Sequence, residues 1–540
     1  MNRILFRLFV LILMFVFPLM GKAQQVSTIY FMEDVPLRHL FNPAFQPTTD
    51  YYLSLPLIGY SQISLGNNSL TLKDVIYNYN GQTVSFLHPT GGNIPQFINA
   101  LKPNTDIYGN FETNLISFGF KNKTSFWSFT LTEKISGNID LPKDLIMLSI
   151  LGTPQIDNNS FDFTRLQSSL SIYNEAALGY AKKINNKWSV GIKLKYLTGF
   201  GNFSYTNKTL KMLAGLDKWN INGEGSFNIS SPYKMEIDNN FQSVNFSYPS
   251  SIANLLKPSG YGAGCDLGVT FKPLTNLTIS ASVIDLGFIH WRSNAQNINY
   301  KINYSFNGVG QIDSITGLNS FQPLINKFSN GNVLADSLIK VLQTSSTITK
   351  TFNSYSTSIP TKVNFGAEYK LEDYPLSVGL LSTTTFFNST INEKITTSIN
   401  VKPIKWLDTS LSYSLLEGQF SSIGAGIGLR TGIIYWFVAA DYISFQKTTI
   451  ALKKISSQYW DVNLAIPYNT KNCNFAFGIS LVLDKVMPRY GLIKKKKKQD
   501  CNCNQKIIRV KYLKIKKSTK EMVLCKGFNT FVEQKNDFKF

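Results

Sequence analysis

The chain has 540 residues and a formal net charge of +21, with 16% charged and 13% aromatic residues. Its mean hydropathy of -0.06 excludes a bundle of membrane helices. Beyond residue 23 no run offers the roughly 18 unbroken apolar residues that one such helix needs. Five cysteines and three histidines in this length exclude a disulfide-built secreted domain and argue against a metal centre.

The first 23 residues carry an address. Arg3 and Arg7 precede the apolar run Leu8 to Met20, and Gly21-Lys22-Ala23 follows. A basic region, a short apolar region and a small-residue site read as a secretory signal peptide over 1–23, cleaved before Gln24. No cysteine follows that site, which argues against lipoprotein processing.

Residues 24–50 form an N-terminal segment that includes IYFMEDVPLRHLFNPAFQP. Three prolines between Ile29 and Pro47 preclude a regular strand or helix through it. Phe31, Leu37, Leu40, Phe41 and Phe45 nevertheless need burial. Two readings stand side by side: a plug for a cavity, centred on Phe41, Asn42, Pro43, Ala44 and Phe45, or a loop packed on an ordinary core.

From Tyr51 onward the pattern is alternating apolar and polar residues, the period of a β-strand with two unlike faces. Tyr51–Leu65 is strand-like, with breaks at Pro56 and Gly59. Paired strands follow: 112–121 with 125–133, 171–181 with 188–198, 260–271 with 277–283, 362–370 with 375–385, 395–401 with 407–414, and 421–430 with 433–442. A last run, 474–483, puts Phe475, Phe477, Ile479, Leu481 and Leu483 on one face. Six hairpins and one strand at each end make about 14 strands, within a range of 12–16. Links within pairs have hairpin length, whereas links between pairs are long: 66–110, 135–170, 199–259, 288–360 and 444–473. Short turns at one end and long loops at the other predict an outer-membrane β-barrel over 51–485, with long extracellular loops and periplasmic chain ends. Amphipathic helices are expected in two loops, at 94–101 and 334–342.

Within the strands, one parity is small or polar where the other is apolar. Gly262, Gly264, Asp266 and Gly268, with Lys193, Lys195, Glu368 and Arg430, are expected to face a lumen; Gly424, Gly426 and Gly428 share this pattern. Trp127, Trp188, Tyr196, Trp291, Trp406, Tyr435 and Trp436, near strand ends, are expected in the aromatic girdles of the membrane interfaces.

No catalytic constellation is legible. His39, His88 and His290 lie far apart, and no G-x-S-x-G, H-E-x-x-H or P-loop occurs. Gly424-Ala425-Gly426-Ile427-Gly428 alternates along a strand, whereas a dinucleotide fingerprint opens a helix. The expectation is therefore no enzyme, no cofactor and no metal. Residues 486–540 form a basic tail; from Gly491 it holds 14 Lys and one Arg against four acidic residues. Export argues against nucleic acid as its partner. Anionic periplasmic material or lipid headgroups remain, beside a plain solvated extension.

The N-terminal stretch, the 260–291 hairpin and the Gly424–Arg430 strand resemble an uncharacterised Bacteroidota outer-membrane family known as a domain of unknown function. The resemblance covers roughly residues 27–485. More distantly the chain resembles FadL-like and type IX secretion-associated barrels, which share an Asn-Pro-Ala element, here Asn42-Pro43-Ala44. FadL-like resemblance implies 14 strands, an N-terminal plug and passage of hydrophobic small molecules. The secretion-associated resemblance implies binding or shuttling of secreted protein cargo. The leading expectation is thus a non-enzymatic, all-β outer-membrane barrel of a Gram-negative bacterium that passively transports small apolar molecules past a plug. Its partners would be membrane lipid and a hydrophobic ligand. The alternative is an interaction platform or shuttle for secreted cargo.

Overall fold

The structure is a computed structural model. It describes residues 26–484 except 81, 153–158, 215–218, 238–243, 248–256, 307–345, 388–389, 417–418, 444–446, 453–461 and 468–470. It also describes 508–511, 521–524 and 532–533. Fourteen strands form its main body. β1 is split into Tyr51–Ser54 and Ser61–Asn67. β2 (Asn104–Asn122), β3 (Ser125–Pro142), β4 (Gln167–Lys183) and β5 (Trp188–Ala214) follow. Next come β6 (Gly260–Phe271), β7 (Leu277–Trp291), β8 (Thr361–Lys370) and β9 (Leu376–Phe387). β10 (Thr390–Ile404), β11 (Leu407–Leu416), β12 (Gln419–Thr431), β13 (Ile434–Ile443) and β14 (Asn472–Leu483) complete the series.

Each strand pairs antiparallel with the next in sequence, from β1 on β2 through β13 on β14. β14 then pairs with both halves of β1, with Tyr51 opposite Leu483 and Ser64 opposite Asn474. The ladder closes on itself. A closed ladder has no edge, so no row of backbone donors and acceptors is left without a neighbouring strand, which is what a strand needs to cross hydrocarbon. β1 divides where the sequence indicates: Pro56 has no N–H to donate, and Leu57 takes a left-handed φ of 63°.

The burial pattern is inside-out relative to a water-soluble protein. Phe118, Leu178, Leu194, Leu267, Phe365, Leu380 and Leu411 are exposed, whereas Ser117, Thr130, Thr132, Ser280, Ser282, Thr396 and Ser412 are buried. An outward band of large apolar side chains around a closed wall fits lipid, not water. Trp127, Trp188, Tyr196 and Trp406 stand on that outer face. Trp291 and Tyr435 do not: both point inward and are almost completely buried, which corrects their expected place in the girdles. For Trp291 the cause is a bulge in β7, where Cys265 faces Leu286 but Leu267 faces Val283. One residue is extra on β7, where Ile284 and Asp285 together face Asp266; Asp285 adopts a left-handed φ of 61°, and the inward parity switches from even to odd numbers.

Short connections, 123–124, 184–187, 272–276, 371–375, 405–406 and 432–433, all lie at one end. At the other end the strands overrun the expected length: β2, β3, β4 and β5 have 19, 18, 17 and 27 residues. Roughly 9–11 tilted residues cross a bilayer, so much of what reads as loop in sequence is ladder standing beyond it. The upper part of β5 pairs with Trp219–Ser230, that strand with Gln296–Phe306, and that with Ser346–Thr351. A helix at Ile94–Ala100 begins where expected: Asn93 accepts the N–H of Gln96 at 2.9 Å and Pro95 occupies the first turn. Phe97 stacks on Phe86 with centroids 3.8 Å apart. The second expected loop helix, 334–342, lies outside the described residues. Residues 484–540 form a separate unit in which 508–511, 521–524 and 532–533 make a small antiparallel sheet.

The lipid-facing assignment is testable. Leu194→Lys, on the outer face of β5, is expected to destabilise the barrel by about 2–4 kcal/mol, read by denaturant unfolding in lipid vesicles. A change within about 0.5 kcal/mol, the size of an ordinary surface substitution, would show that this face does not meet lipid.

Candidate functional site: the lumen

The lumen wall is polar because the inward parity of almost every strand is Ser, Thr, Asn or Gly. β10 and β11 alone place Thr396, Ser398, Asn400, Ser410, Ser412 and Ser414 inside, all buried. These groups bond to one another, as in Thr396–Ser414 at 2.9 Å and Ser410 donating to Asn400 Oδ1 at 2.7 Å.

The space they enclose is occupied by the chain's own residues 26–45. Val26, Ile29, Tyr30, Phe31, Met32, Val35, Leu37, Leu40 and Phe41 are buried and form one cluster with wall residues including Tyr52, Tyr60, Phe126, Tyr435 and Phe437. Two one-turn 3-10 helices, Ser27–Phe31 and Pro36–Leu40, carry the segment. They allow it to turn sharply where prolines forbid a longer element.

Polar contacts fix its course. At its start, Asp441 on β13 accepts the N–H of Ser27 at 2.7 Å and of Thr28 at 3.3 Å, and also the Thr28 hydroxyl. Lys394 on β10 pairs with Asp441 at 3.5 Å, fully buried. At the short-turn mouth, Glu33 pairs with Lys370, and Asp34 pairs with Lys402 at 2.5 Å. Burial would raise the Glu33 carboxyl, but Arg38, Lys370 and Lys402 together hold it below the usual carboxylate range. A depressed carboxylate stabilises the folded state above its unfolded pKa, so this attachment weakens only as acid titrates Glu33.

The segment then crosses the lumen. Arg38 Nε donates to Tyr30 O at 3.0 Å, and its guanidinium lies 4.4 Å from the Phe45 ring centroid. His39 Nε2 lies 2.7 Å from Tyr52 Oη, while its Nδ1 has no hydrogen-bond partner. Burial, with Lys193 nearby, holds its pKa well below the usual histidine value. This neutral ring is a packing group. Ser282 and Asn364 donate to Phe41 O at 2.8 and 3.1 Å, and Asn42 Nδ2 reaches Ala281 O at 3.2 Å. Asn42 Oδ1 accepts the N–H of Ala44 at 2.9 Å, and Ser189 donates to Ala44 O at 3.2 Å. Phe45 packs against the cluster, and Gln46 Nε2 bonds Thr124 O at 2.9 Å beside a short turn.

Several inward glycines are seats for this segment. A Cβ on Gly191 would stand 2.3 Å from the Pro43 carbonyl, and one on Gly268 would stand 2.1 Å from Asn42 Oδ1. Gly424 and Gly426 give the same clearance to Thr28 and Met32, and Gly379 to Phe31. Gly262 and Gly264 do something else. A Cβ on Gly262 would collide with the Phe288 carbonyl at 2.0 Å, so it accommodates the displaced backbone of β7.

Lys193, Lys195 and Asp266 lie deeper, in a buried ionic layer whose other members sequence reading missed. Lys195 Nζ is 2.7 Å from Asp266, 3.2 Å from Glu175 and also paired with Asp285. Lys134 reaches Glu175 and Asp285, each at 2.9 Å, and Lys362 lies 4.0 Å from Asp285. A cavity of about 50 Å³ adjoins this layer, lined in part by Gln62, Glu112, Lys134, Tyr173 and Lys362. Beyond it, toward the long-loop end, Tyr173, Leu197, Ile289, Trp291 and Ile359 form an apolar cluster. The inward face of β5 reads these levels in order: Ser189 and Gly191 against the segment, Lys193 and Lys195 in the ionic layer, Leu197 in the apolar cluster. Glu368 belongs elsewhere. It accepts the Ser377 hydroxyl at 2.7 Å and lines a mouth crevice of about 280 Å³ with Glu33, Lys370 and Asp408. Arg430, half-buried one residue from the end of β12, donates to Gly432 O at 3.4 Å and does not join the layer.

A model of a family of unknown function, DUF5723, matches residues 43–441. The chain belongs to that family. This DUF5723 member has no match among curated proteins. Among solved structures it is similar to the Ralstonia pickettii toluene transporter TbuX, at 9% identity over 83% of this chain and 94% of that one, with a TM-score of 0.38. A Pseudomonas aeruginosa FadL homologue gives 11%, 86%, 99% and 0.36 in the same order. The Pseudomonas putida toluene transporter TodX gives 9%, 86%, 98% and 0.33. The fold of this DUF5723 member rests on its closed ladder, not on these distant likenesses.

Because backbone atoms face Gly191, a methyl group there cannot be absorbed by rotating a side chain. Gly191→Ala is expected to displace 42–45 and expose the segment to protease in the folded barrel, with new cuts between residues 26 and 47. An unchanged digest would mean that the segment does not rest on Gly191.

Proposed function

We propose that this DUF5723 member is an outer-membrane barrel that passes small apolar molecules by displacement of residues 26–45, which act as its plug. One observation carries the reading: at the level of residues 26–45 the wall is largely Ser, Thr, Asn and Gly, and its aromatic surface lies where the segment meets Tyr52, Tyr60, Phe126, Tyr435 and Phe437. When the segment moves, those rings are the apolar surface left to receive a guest, and aromatic faces offer large contact area at little conformational cost. The segment is held by hydrogen bonds, ion pairs and packing, so it can leave and return without covalent chemistry. The long-loop end would face the exterior, the short turns the periplasm, and the signal peptide would provide export.

A second reading, a platform for secreted cargo, draws support from the ordered ladder beyond the bilayer, where Trp219–Ser230, Gln296–Phe306 and Ser346–Thr351 extend β5 into a broad surface. The Bacteroidota origin and the secretion link belong to this reading.

A tether separates the two. Thr28 Oγ1 and Ser412 Oγ are 2.6 Å apart, so Thr28→Cys with Ser412→Cys, in a chain whose native cysteines are serine, can fasten the segment to β11. Oxidised barrels in vesicles are expected to lose roughly 80% or more of the uptake rate of a small aromatic hydrocarbon, an about fivefold fall equivalent to about 1 kcal/mol of barrier, and to regain it on reduction. Uptake unaffected by the tether would overturn transport and leave the platform.

A further inference from the structure

The segment is not the only thing closing the lumen. We infer that the wall supplies a second, independent closure: the inward bulge of β7, clamped across the lumen by Asp285. This deepens the transport reading, on which it rests for the lumen being a route at all.

The argument starts from distance along the wall. Lys134 is on β3 and Asp285 on β7, four strand spacings apart. Neighbouring strands are ~4.8 Å apart, so about 19 Å of wall separates them before curvature is counted. Their charged atoms nevertheless meet at 2.9 Å. Two side chains on an evenly curved wall would not reach so far. The bulge brings β7 inward: one extra residue, a left-handed Asp285, and an Asp285 N–H that donates to Asp266 Oδ1 at 2.7 Å. Gly262 and Gly264 on β6 provide the space for that displaced backbone.

The clamp joins five strands of the wall besides β7 itself. Lys134, Glu175, Lys195, Asp266 and Lys362 come from β3, β4, β5, β6 and β8, and all are buried or nearly so. None belongs to residues 26–45, so removing the segment leaves the layer intact. Breaking one partner of a buried ion pair strands a charge and costs far more than the pair contributes. An apolar guest offers these groups no replacement partner. The layer therefore stays shut until the wall at β7 moves and takes Asp285 from Lys134 and Lys195 together. The two closures act in series.

Planar-bilayer conductance tests this with four proteins. One is the parent; a second has residues 26–45 replaced by a Gly/Ser chain of equal length. A third carries Lys134→Ser, Glu175→Ser, Lys195→Ser and Asp285→Ser, which removes two charges of each sign. The fourth combines both changes. Heat-modifiable migration confirms that each is folded. Either change alone is expected to leave conductance within about twofold of the parent, and the combination to raise it at least about tenfold, the ratio of a ~1.4 kcal/mol barrier. A segment replacement that by itself conducts as well as the combination would overturn the second closure. So would a combination that stays at the parental level. Should the four-serine barrel fail to fold, Asp285→Asn in the segment-replaced barrel carries the test, with a rise of at least about threefold expected and none overturning it. Conductance reads ions and the tether experiment reads hydrocarbon uptake, so loss of the transport reading leaves this result interpretable.

Discussion

A sheet closed on itself at fourteen strands encloses more space than its inward side chains can fill, and the occupant of that space governs the rest of this molecule. Water in a lumen of that width would leave an open pore. Here residues 26–45 take the space, and the wall is shaped to receive them. Glycines stand where the segment's backbone comes closest, at Gly191 and Gly268. Hydroxyls and amides stand where its carbonyls need donors, as Ser282 and Asn364 do for Phe41. Carboxylates and lysines stand at its beginning and at its bend, as Asp441 and Lys402 do.

The arrangement divides the interior into levels of different chemistry. Near the short turns, aromatic and aliphatic groups of the segment meet the few rings on the wall. Above them lies an ionic layer made wholly by the wall, and above that an apolar cluster around Trp291. Each level follows from alternation on the same strands, since a side chain two residues further along a strand rises about 7 Å without changing face. β5 shows how little sequence this takes: Ser189, Gly191, Lys193, Lys195 and Leu197 meet three environments in nine residues.

The barrel itself was legible because lipid on one side and a polar lumen on the other impose a period of two, broken only by short turns. Glycine alternation at 424–428 was equally plain, but not its purpose, because a glycine that seats another segment looks like one that leaves a channel open. The ionic layer was half visible. Lys193, Lys195 and Asp266 stood out against small neighbours, whereas Lys134 lay one residue past the expected end of its strand. Glu175 is one charge in a run of Ala and Ser. Asp285 was hidden for a physical reason. The bulge that turns it inward leaves only the adjacent pair Val283-Ile284 as its trace, and the same shift carried Trp291 from the expected outer girdle to the inside. Tyr435 shows a further limit, since an aromatic near a strand end reads alike on either face. Prolines revealed that 29–47 is irregular; only the surrounding wall reveals what holds it.

Occupation of the lumen by residues 26–45 is the claim on which the account stands, and amide hydrogen exchange of the folded barrel in lipid vesicles measures it most directly. The N–H groups of Ser27, Thr28, Phe41 and Ala44 are hydrogen-bonded and buried, so they are expected to exchange at least about a thousandfold more slowly than in an unstructured peptide, an opening free energy of about 4 kcal/mol. Exchange of these amides at the unstructured rate, with the barrel strands still protected, would contradict it.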